Sequence, residues 1–542
     1  MKLKYLIIYS LITALTVSAQ AKKTKLLVGI VVDQMRYDYL EKYYNDFGKS
    51  GFKRLLKNGT NFTNCEINYI PSVTAAGHAS IYTGTTPFYH GIISNNWIER
   101  SENFDLVNNC STIKVPKIKT AEGISKTNSP DRLLSSTIGD QIRLNNFGKS
   151  KVYSISIKNR SAIMPAGKGA NAAFWFDDET GKFISSFYYL EKLPEWLISF
   201  NNSGLIEKYC NIEWNLFKPQ SIYSKLPEDN SRYEADVFNE GRTSFPHSLE
   251  NVETKYKYSK FTHTPWGNQI LIDLAKKLLV EENLGKGKYL DHLAISFSSP
   301  DKIGHDYGPQ SYEVKDTYLR LDEQIADLLS FLDKQVGNDK YILFLTADHG
   351  GMENITHLKD MNFDTGVLEN TNFFKKLTQY LKNTFGTEKI IKTRFTRNIY
   401  LDYHVLDSLN LKRESVEAKI KHYLLNNVPE IADVYTRTEL NKMTAGRENS
   451  NLILNGYNKR RSGDILYSLK PHYLNWEKKY GTQHGSGHSY DTHIPLLFYG
   501  NIFPAKTYNK KVYVVDIAAT IADVLGILKP SNCIGIPLVK RK

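Results

Sequence analysis

Lys25-Leu26-Leu27-Val28-Gly29-Ile30-Val31-Val32-Asp33 decides the fold of this chain. It is a nearly continuous apolar run closed by a carboxylate. A strand covered on one face alternates apolar with polar side chains. A run without that alternation is buried on both faces, as in a parallel sheet flanked by helices. Open α/β sheets take their ligands at the carboxyl ends of their strands, which puts Asp33 where chemistry is expected. Two later segments repeat the pattern. Tyr289 to Phe297 leads through Ser298-Ser299-Pro300 to Asp301, with His305 four residues on, and Tyr341 to Thr346 leads to Ala347-Asp348-His349-Gly350-Gly351. The expected fold class is α/β, a central and mostly parallel sheet flanked by helices.

Other segments fit around that sheet. Gly51 to Lys57, Leu133 to Leu144 and Thr264 to Val280 have helical spacing, and Lys151 to Lys158 alternates as a strand. Val314, Tyr318, Leu321, Ile325, Leu328 and Leu332 trace one face of a long helix. Residues 175 to 260 are aromatic and polar without a clear period and read as a surface elaboration. Residues 355 to 478 mix helices with strands and read as an inserted α+β cap. Within it Phe373 to Phe385 and Ser415 to Asn426 are the helices, Ser415 serving as N-cap, and Phe395 to Leu401 and Asp464 to Leu469 are the strands. The core, begun at residue 20 and interrupted after 354, resumes over 479 to 542 with Gln483-His484-Gly485, a strand at Ile494 to Phe498 and a closing helix from Val512 to Ile527.

The ends and the composition narrow the setting. Lys2 and Lys4, the apolar run Leu6 to Val17 and the small residues Val17-Ser18-Ala19 read as an export signal over residues 1 to 19, cleaved before Gln20. The mature protein is then periplasmic or secreted. No later stretch approaches the ~20 apolar residues of a membrane helix. Four cysteines, Cys65, Cys110, Cys210 and Cys533, lack Cys-x-x-Cys spacing, so a thiolate metal site is not expected. Cys65 with Cys110, flanking the Thr74 segment, is the first pair to test for a disulfide. The 542 residues carry a formal net charge of +13, but the basic residues are spread along the whole chain without a nucleic-acid motif. That excludes a specific nucleic-acid partner and leaves a field that draws anionic substrates.

The chemistry gathers at the strand ends. Carboxylates and imidazoles together suit Zn²⁺, which takes His and Asp in open catalytic sites. An Asp at one strand end is often a turn residue; three of them converging on one sheet edge, two followed by His, point to a metal site. A second feature is Ile70-Pro71-Ser72-Val73-Thr74-Ala75-Ala76-Gly77-His78. Its small-residue run starts a helix and sets the Thr74 hydroxyl at an N-terminus that favours anions. Taken alone, Thr74 reads first as a helix cap, and only the residues elsewhere in the chain turn the reading toward chemistry. Lys158 and Arg160, two apart at a strand end, point to one face and suit a dianionic phosphate. His78 packs under the helix.

These residues resemble the alkaline phosphatase superfamily, and within it the PafA-type secreted bacterial phosphatases. The resemblance runs through Val-Val-Asp-Gln-Met-Arg at 31–36, Val-Thr-Ala-x-Gly-His at 73–78, Asn-x-Trp at 95–97, Lys-x-Arg at 158–160 and Asp-Ile-Ala-x-Thr-Ile at 516–521. It implies a monoester phosphatase with two Zn²⁺ ions per chain and no catalytic Mg²⁺. One ion is held by Asp301, His305 and His484, the other by Asp33, Asp348, His349 and the Thr74 oxygen. His484 is chosen over His488 and His493 because it begins the His-Gly of the family pattern. Thr74 is then the nucleophile, forming phosphothreonine, and Asn95, Lys158 and Arg160 hold the phosphoryl oxygens. Metal coordination activates such a hydroxyl much as it lowers the pKa of water from about 15.7 to about 7. The expected substrates are small phosphomonoesters, and the expected state is a monomer. Two other readings are a nucleotide pyrophosphatase or phosphodiesterase of the same superfamily and a non-catalytic basic binding protein.

Overall fold

A computed structural model describes residues 24–115, 121–447, 452–475 and 479–539. The proposed export signal lies outside them. The main sheet is built from β1 (Leu26–Val32), β2 (Thr60–Glu66), β3 (Ile124–Ser125), β4 (Val152–Ser156), β5 (Ala172–Asp177), β6 (Lys182–Ser186), β7 (Asp291–Phe297), β8 (Tyr341–Thr346), β9 (His493–Tyr499) and β10 (Lys506–Tyr508). Their spatial order is β10-β2-β9-β8-β1-β7-β4-β5-β6-β3, with a short strand, Val512–Tyr513, also pairing with β2. β8, β1, β7, β4 and β5 run parallel, β9 runs antiparallel to both its neighbours, and β6 runs antiparallel to β5 but parallel to β3. All seven residues of β1, all seven of β7 and all six of β8 are buried, as continuous apolar runs require.

Parallel pairing decides where the chemistry sits. Adjacent strands β8, β1, β7 and β4 end on one edge of the sheet, in register through Val31↔Thr346, Val31↔Ser296 and Ser156↔Ser296. They lead in turn to Asp348 and His349, to Asp33, to Asp301 and His305, and to Lys158 and Arg160. Two local readings need correction. Asp301 is not at the strand end but in the first turn of helix α3 (Ser299–Tyr307), one helical turn before His305. Lys158 caps helix α2 (Asn159–Ala166) and Arg160 lies inside it, so helical geometry, not strand alternation, orients the pair. Behind α3, Tyr312–Gln335 forms the long helix expected there.

Helix α1 (Thr74–Thr83) is buried along its whole length. It needs its glycine: a Cβ on Gly77 would meet the Asp348 carbonyl oxygen at 2.4 Å. The helix therefore lies directly on the strand end that bears Asp348. His90 steadies it from the other side, its Nε2 donating to Ser80 Oγ at 3.0 Å while its Nδ1 accepts from the Ile92 amide at 3.1 Å. Burial, helped by Arg461, pushes the His90 pKa down from 6.5 to about 3. Below pH 6.5 the unfolded chain therefore takes up a proton that the folded chain refuses, and this contribution is lost as pH falls. The loss is about 1.4 kcal/mol per pH unit, or roughly 2 kcal/mol by pH 5. His90→Gln should lose that much less stability than wild type between pH 7 and 5 in urea titrations; parallel curves would refute the assignment.

The inserted residues form a second sheet of strands Ile391–Phe395, Asn398–Leu401, Ile465–Leu469 and Ile431–Thr436 in that order, antiparallel throughout. Helices Asn370–Phe385 and Arg413–Asn427 pack on it around an apolar cluster of its own. The segment read as one strand, Phe395 to Leu401, is a hairpin with Thr396-Arg397 at its tip. Ser415 is not an N-cap: the helix starts at Arg413, after Lys412. The first helix of the 133–144 segment starts later, at Ile138, where Thr137 and Asp140 close a capping box. The C-terminal helix spans only Asp516–Leu525. Of the stretch read as surface elaboration, residues up to 186 belong to the main sheet as β5 and β6. All four cysteines are free. Cys65 lies in the main core and Cys110 in a separate apolar cluster with Ala75 and Ala79, so the pair tested first for a disulfide is not formed.

Candidate metal and nucleophile site

Three imidazoles converge on three carboxylates. Each imidazole is oriented the same way: Nδ1 donates to a backbone carbonyl, which turns Nε2 inward. His305 Nδ1 donates to the Thr482 oxygen, His349 to that of Gly350 and His484 to that of Ser72, each at 2.9 Å. Inward, His305 Nε2 lies 3.2 Å and His484 Nε2 3.6 Å from Asp301 Oδ1. His349 Nε2 lies 3.4 Å from Asp33 Oδ1 and 3.6 Å from Asp348 Oδ2.

The donor set fits metal ions on evidence internal to the site. Asp33 Oδ1, Asp348 Oδ2 and His349 Nε2 are buried with no hydrogen-bond partner among the described residues. Buried polar atoms are rarely left so. Two groups, Asp33 with Asp348 and His349, and Asp301 with His349 and His484, each bring their donor atoms within 4.8 Å of one another. His349 thus stands in both groups, its ring stacked on His484 at 3.5 Å, whereas the resemblance assigns it to one ion. His305 is drawn in through Asp301.

Charge balance says the same. Burial, then Asp301 and Asp348, push the Asp33 pKa well above the usual carboxylate range. Burial works upward on Asp301 too, but His305 and Lys158 outweigh it and hold Asp301 well below that range. Burial and the neighbouring His349 push His484 far down, which keeps it in the neutral form that binds metals. One cation already answers this charge: Lys158 Nζ contacts Asp33 Oδ2 at 2.7 Å and Asp301 Oδ2 at 2.5 Å. Burial opposes its charge, but Asp301 and Asp33 raise its pKa above the ordinary value. Lys158 was expected to face the phosphoryl group; here it bridges carboxylates of both donor sets.

Thr74 is the first residue of α1, and the N-cap position before it is held by Val73, which has no side-chain capping hydrogen bond. The alternative reading of Thr74 as a cap therefore fails. Its neighbours tie it to the site. Ser72 accepts from His484, and His78 Nδ1 lies 2.9 Å from the Thr74 carbonyl oxygen and 3.3 Å from Asp348 Oδ2. Asn95 Oδ1 accepts from the Ala75 amide at 2.9 Å, which fixes the Asn95 amide beside the start of α1. Arg160 stands in the first turn of α2, a helix packed along α1, with its Nε buried and without a partner among the described residues. A buried guanidinium N–H without an acceptor is a donor held ready for an anion. His488 and His493 bond backbone carbonyls elsewhere and join neither donor group.

Two residues of the site were not singled out from the sequence. His78, read as packing, contacts Asp348 and donates or accepts at Ser296 Oγ, 2.8 Å away. Gln34 adopts a φ of 65°, in the left-handed region. That turn lets its amide N–H reach Asp348 Oδ1 at 3.2 Å while its side-chain Nε2 donates to Asp301 Oδ1 at 2.7 Å. Gly304 makes the room, since a Cβ there would meet Gln34 Oε1 at 2.0 Å. Gln34 therefore aims carboxylates of both donor groups. Gln34→Leu should weaken metal retention by about 10- to 100-fold in chelator competition; unchanged retention would make it a space-filler.

With that geometry stated, comparison with known proteins is informative. The model of the type I phosphodiesterase / nucleotide pyrophosphatase family matches residues 27–491. The chain is 38% identical over 530 residues to a calcium-transporting ATPase of Myroides odoratus, covering 97% of this chain and 96% of that one. It is 36% identical over 518 residues to alkaline phosphatase PafA of Elizabethkingia meningoseptica, covering 96% and 94%. It is 38% identical over 520 residues to alkaline phosphatase PhoV of Synechococcus elongatus, covering 95% and 92%. The crystal structure of wild-type PafA superposes with a TM-score of 0.88 at 36% identity, covering 95% of this chain and 98% of that one. A second PafA structure, at a TM-score of 0.87, carries replacements of a threonine, an asparagine, a lysine and an arginine. Among the described residues no helix is long and apolar enough to cross a membrane.

Proposed function

The chain belongs to the type I phosphodiesterase / nucleotide pyrophosphatase family of the alkaline phosphatase superfamily, and from that membership we propose that it is an alkaline phosphatase, hydrolysing phosphate monoesters with Thr74 as nucleophile. The observation that carries this reading is the inward turn of His305, His349 and His484 onto Asp33, Asp301 and Asp348 beside the uncapped Thr74. Asp301, His305 and His484 would hold one Zn²⁺, and Asp33, Asp348, His349 and the Thr74 oxygen the other. Bound there, the ions supply Lewis acidity that lowers the pKa of a hydroxyl or water and offsets charge on the leaving oxygen.

The chain's own residues do the rest. Helix α1 presents the Thr74 oxygen at its N-terminus, where the dipole favours the dianion. Attack by that oxygen on phosphorus, in line with the ester oxygen, releases the alcohol and leaves phosphothreonine. Water then attacks the same phosphorus, releases inorganic phosphate and restores the hydroxyl. Arg160 holds phosphoryl oxygens through paired N–H groups, and the Asn95 NH₂ group, its Oδ1 engaged by Ala75, is left to donate. With Asp33 and Asp301 engaged in holding metal, the Lys158 ammonium, which contacts both here, would be free to serve the phosphoryl group. The threonine, asparagine, lysine and arginine replaced in the PafA variant follow the chain order of Thr74, Asn95, Lys158 and Arg160, which supports these four assignments. Export to the periplasm or beyond, and action as a monomer on small phosphomonoesters, complete the proposal.

The family model's description favours a second reading, phosphodiester hydrolysis at the same centre. Turnover of an aryl phosphate and of its methyl diester by the zinc-loaded protein separates the two. The monoester should be preferred, because two cationic side chains match a dianion; a preference for the diester would reverse the assignment.

A further inference from the structure

We propose that Arg397, carried in by the inserted unit, forms a subsite for an anionic group on the alcohol portion of the substrate. This rests on the phosphatase reading above and specifies which monoesters the site prefers. A cleft of about 80 Å³ opens beside the centre, where Val73 and His484 form its inner wall. Val73 immediately precedes Thr74, which sets this space beside the proposed nucleophile, and in this proposal the ester's alcohol portion occupies it. Its outer wall comes from the insertion, through Thr396, Arg397, Leu466 and Tyr467. Most of the lining is apolar or neutral, and Arg397 is its one permanently charged side chain.

Arg397 sits at the tip of the hairpin between Ile391–Phe395 and Asn398–Leu401. Its Nη1 donates to the Gly485 carbonyl at 3.0 Å, next to His484 in the chain. No carboxylate pairs with it among the described residues, although most arginines at comparable depth in this chain, such as Arg36, Arg132 and Arg447, have acidic partners. Burial lowers the Arg397 pKa, and the nearby Tyr467, Asp491 and Tyr490 offset only part of that effect. A second cavity of about 190 Å³, lined by Ser468, Ser486 and His488 and also by Asp433, shares Arg397, Ile70 and Ile453 with the first. The guanidinium therefore borders both spaces. A neutral, partly apolar channel ending in an unpaired guanidinium suits an alcohol with an apolar body and a distal carboxylate or second phosphate.

The test compares phenyl phosphate with 4-carboxyphenyl phosphate on the full-length, zinc-loaded enzyme. Taking the wild-type to variant ratio for each substrate cancels the difference in intrinsic reactivity. Arg397→Met should lower kcat/KM for the carboxylated ester relative to the plain one by about tenfold, mainly through KM, and Arg397→Lys should recover part of it. A relative change within twofold would overturn the subsite. Calorimetric binding of 4-hydroxybenzoate, the released alcohol, reads the same contact without turnover. If wild type hydrolyses neither ester, the phosphatase reading fails by itself. Binding that weakens in Arg397→Met still supports the anion subsite, and equal binding ends it. Arg397→Gln replaces the methionine variant if that one does not fold.

Discussion

Thr74→Ala should lower kcat on an aryl phosphate by about four orders of magnitude or more, the scale seen when an enzyme loses its nucleophile. The protein should otherwise be intact. Val73, not Thr74, holds the N-cap position of α1, so alanine at 74 leaves the N-cap residue in place. The metal-binding carboxylates and imidazoles remain, so zinc content should fall by no more than the contribution of one oxygen ligand. Thr74→Ser keeps a hydroxyl at the same helix position and should retain most of the lost activity. Trapping the steady state with acid should find phosphate on Thr74 in wild type and none in the alanine variant. Wild-type turnover by Thr74→Ala would remove Thr74 from the chemistry.

The second large effect is expected at His349. Its Nε2 faces Asp33 and Asp348 and its ring stacks on His484, so it belongs to both donor groups. His349→Ala should drop turnover by roughly three orders of magnitude, since the charge stabilisation that the ions provide is a principal source of rate. Bound zinc, measured by elemental analysis, should fall from two equivalents toward one. The remaining centre holds Asp33, Asp301 and Asp348 against Lys158, and the unbalanced negative charge should also lower thermal stability. Two full equivalents with full turnover in this variant would separate His349 from the metals.

Much of the site was legible before the fold was known. Asp33 and Asp348 close uninterrupted apolar runs, and such runs belong to parallel strands whose ends share an edge. Asp301 and His305 are four apart, so even the shift from strand end to helix left them together. What could not be read depends on distant partners. The left-handed turn at Gln34 is held by acceptors on Asp301 and Asp348, far along the chain, and glutamine gives no local sign of it. The Thr396-Arg397 tip lacks the glycine or asparagine that usually marks a tight hairpin, so the two strands read as one. Only the end of the buried strand β5 falls in the stretch read as elaboration, and β6 mixes apolar with polar residues over five positions, too few to set a period. Lys158 looked free for substrate because its carboxylate partners come from distant parts of the chain, Asp33 after β1 and Asp301 in α3. The cysteine pair failed because flanking a segment does not bring two side chains into the same cluster.

The neighbouring strand ends have a consequence for biogenesis. Asp33 is supplied near the start of the chain and His484 near its end, and the four strands whose ends carry the site, β8, β1, β7 and β4 in space, are made in a different order from the one in which they pair. No nascent or truncated chain that stops short of Gln483-His484-Gly485 owns a full set of metal donors. On the proposed site, hydrolytic power should not emerge gradually during synthesis; it should switch on only when the last tenth or so of the polypeptide has been laid against the first.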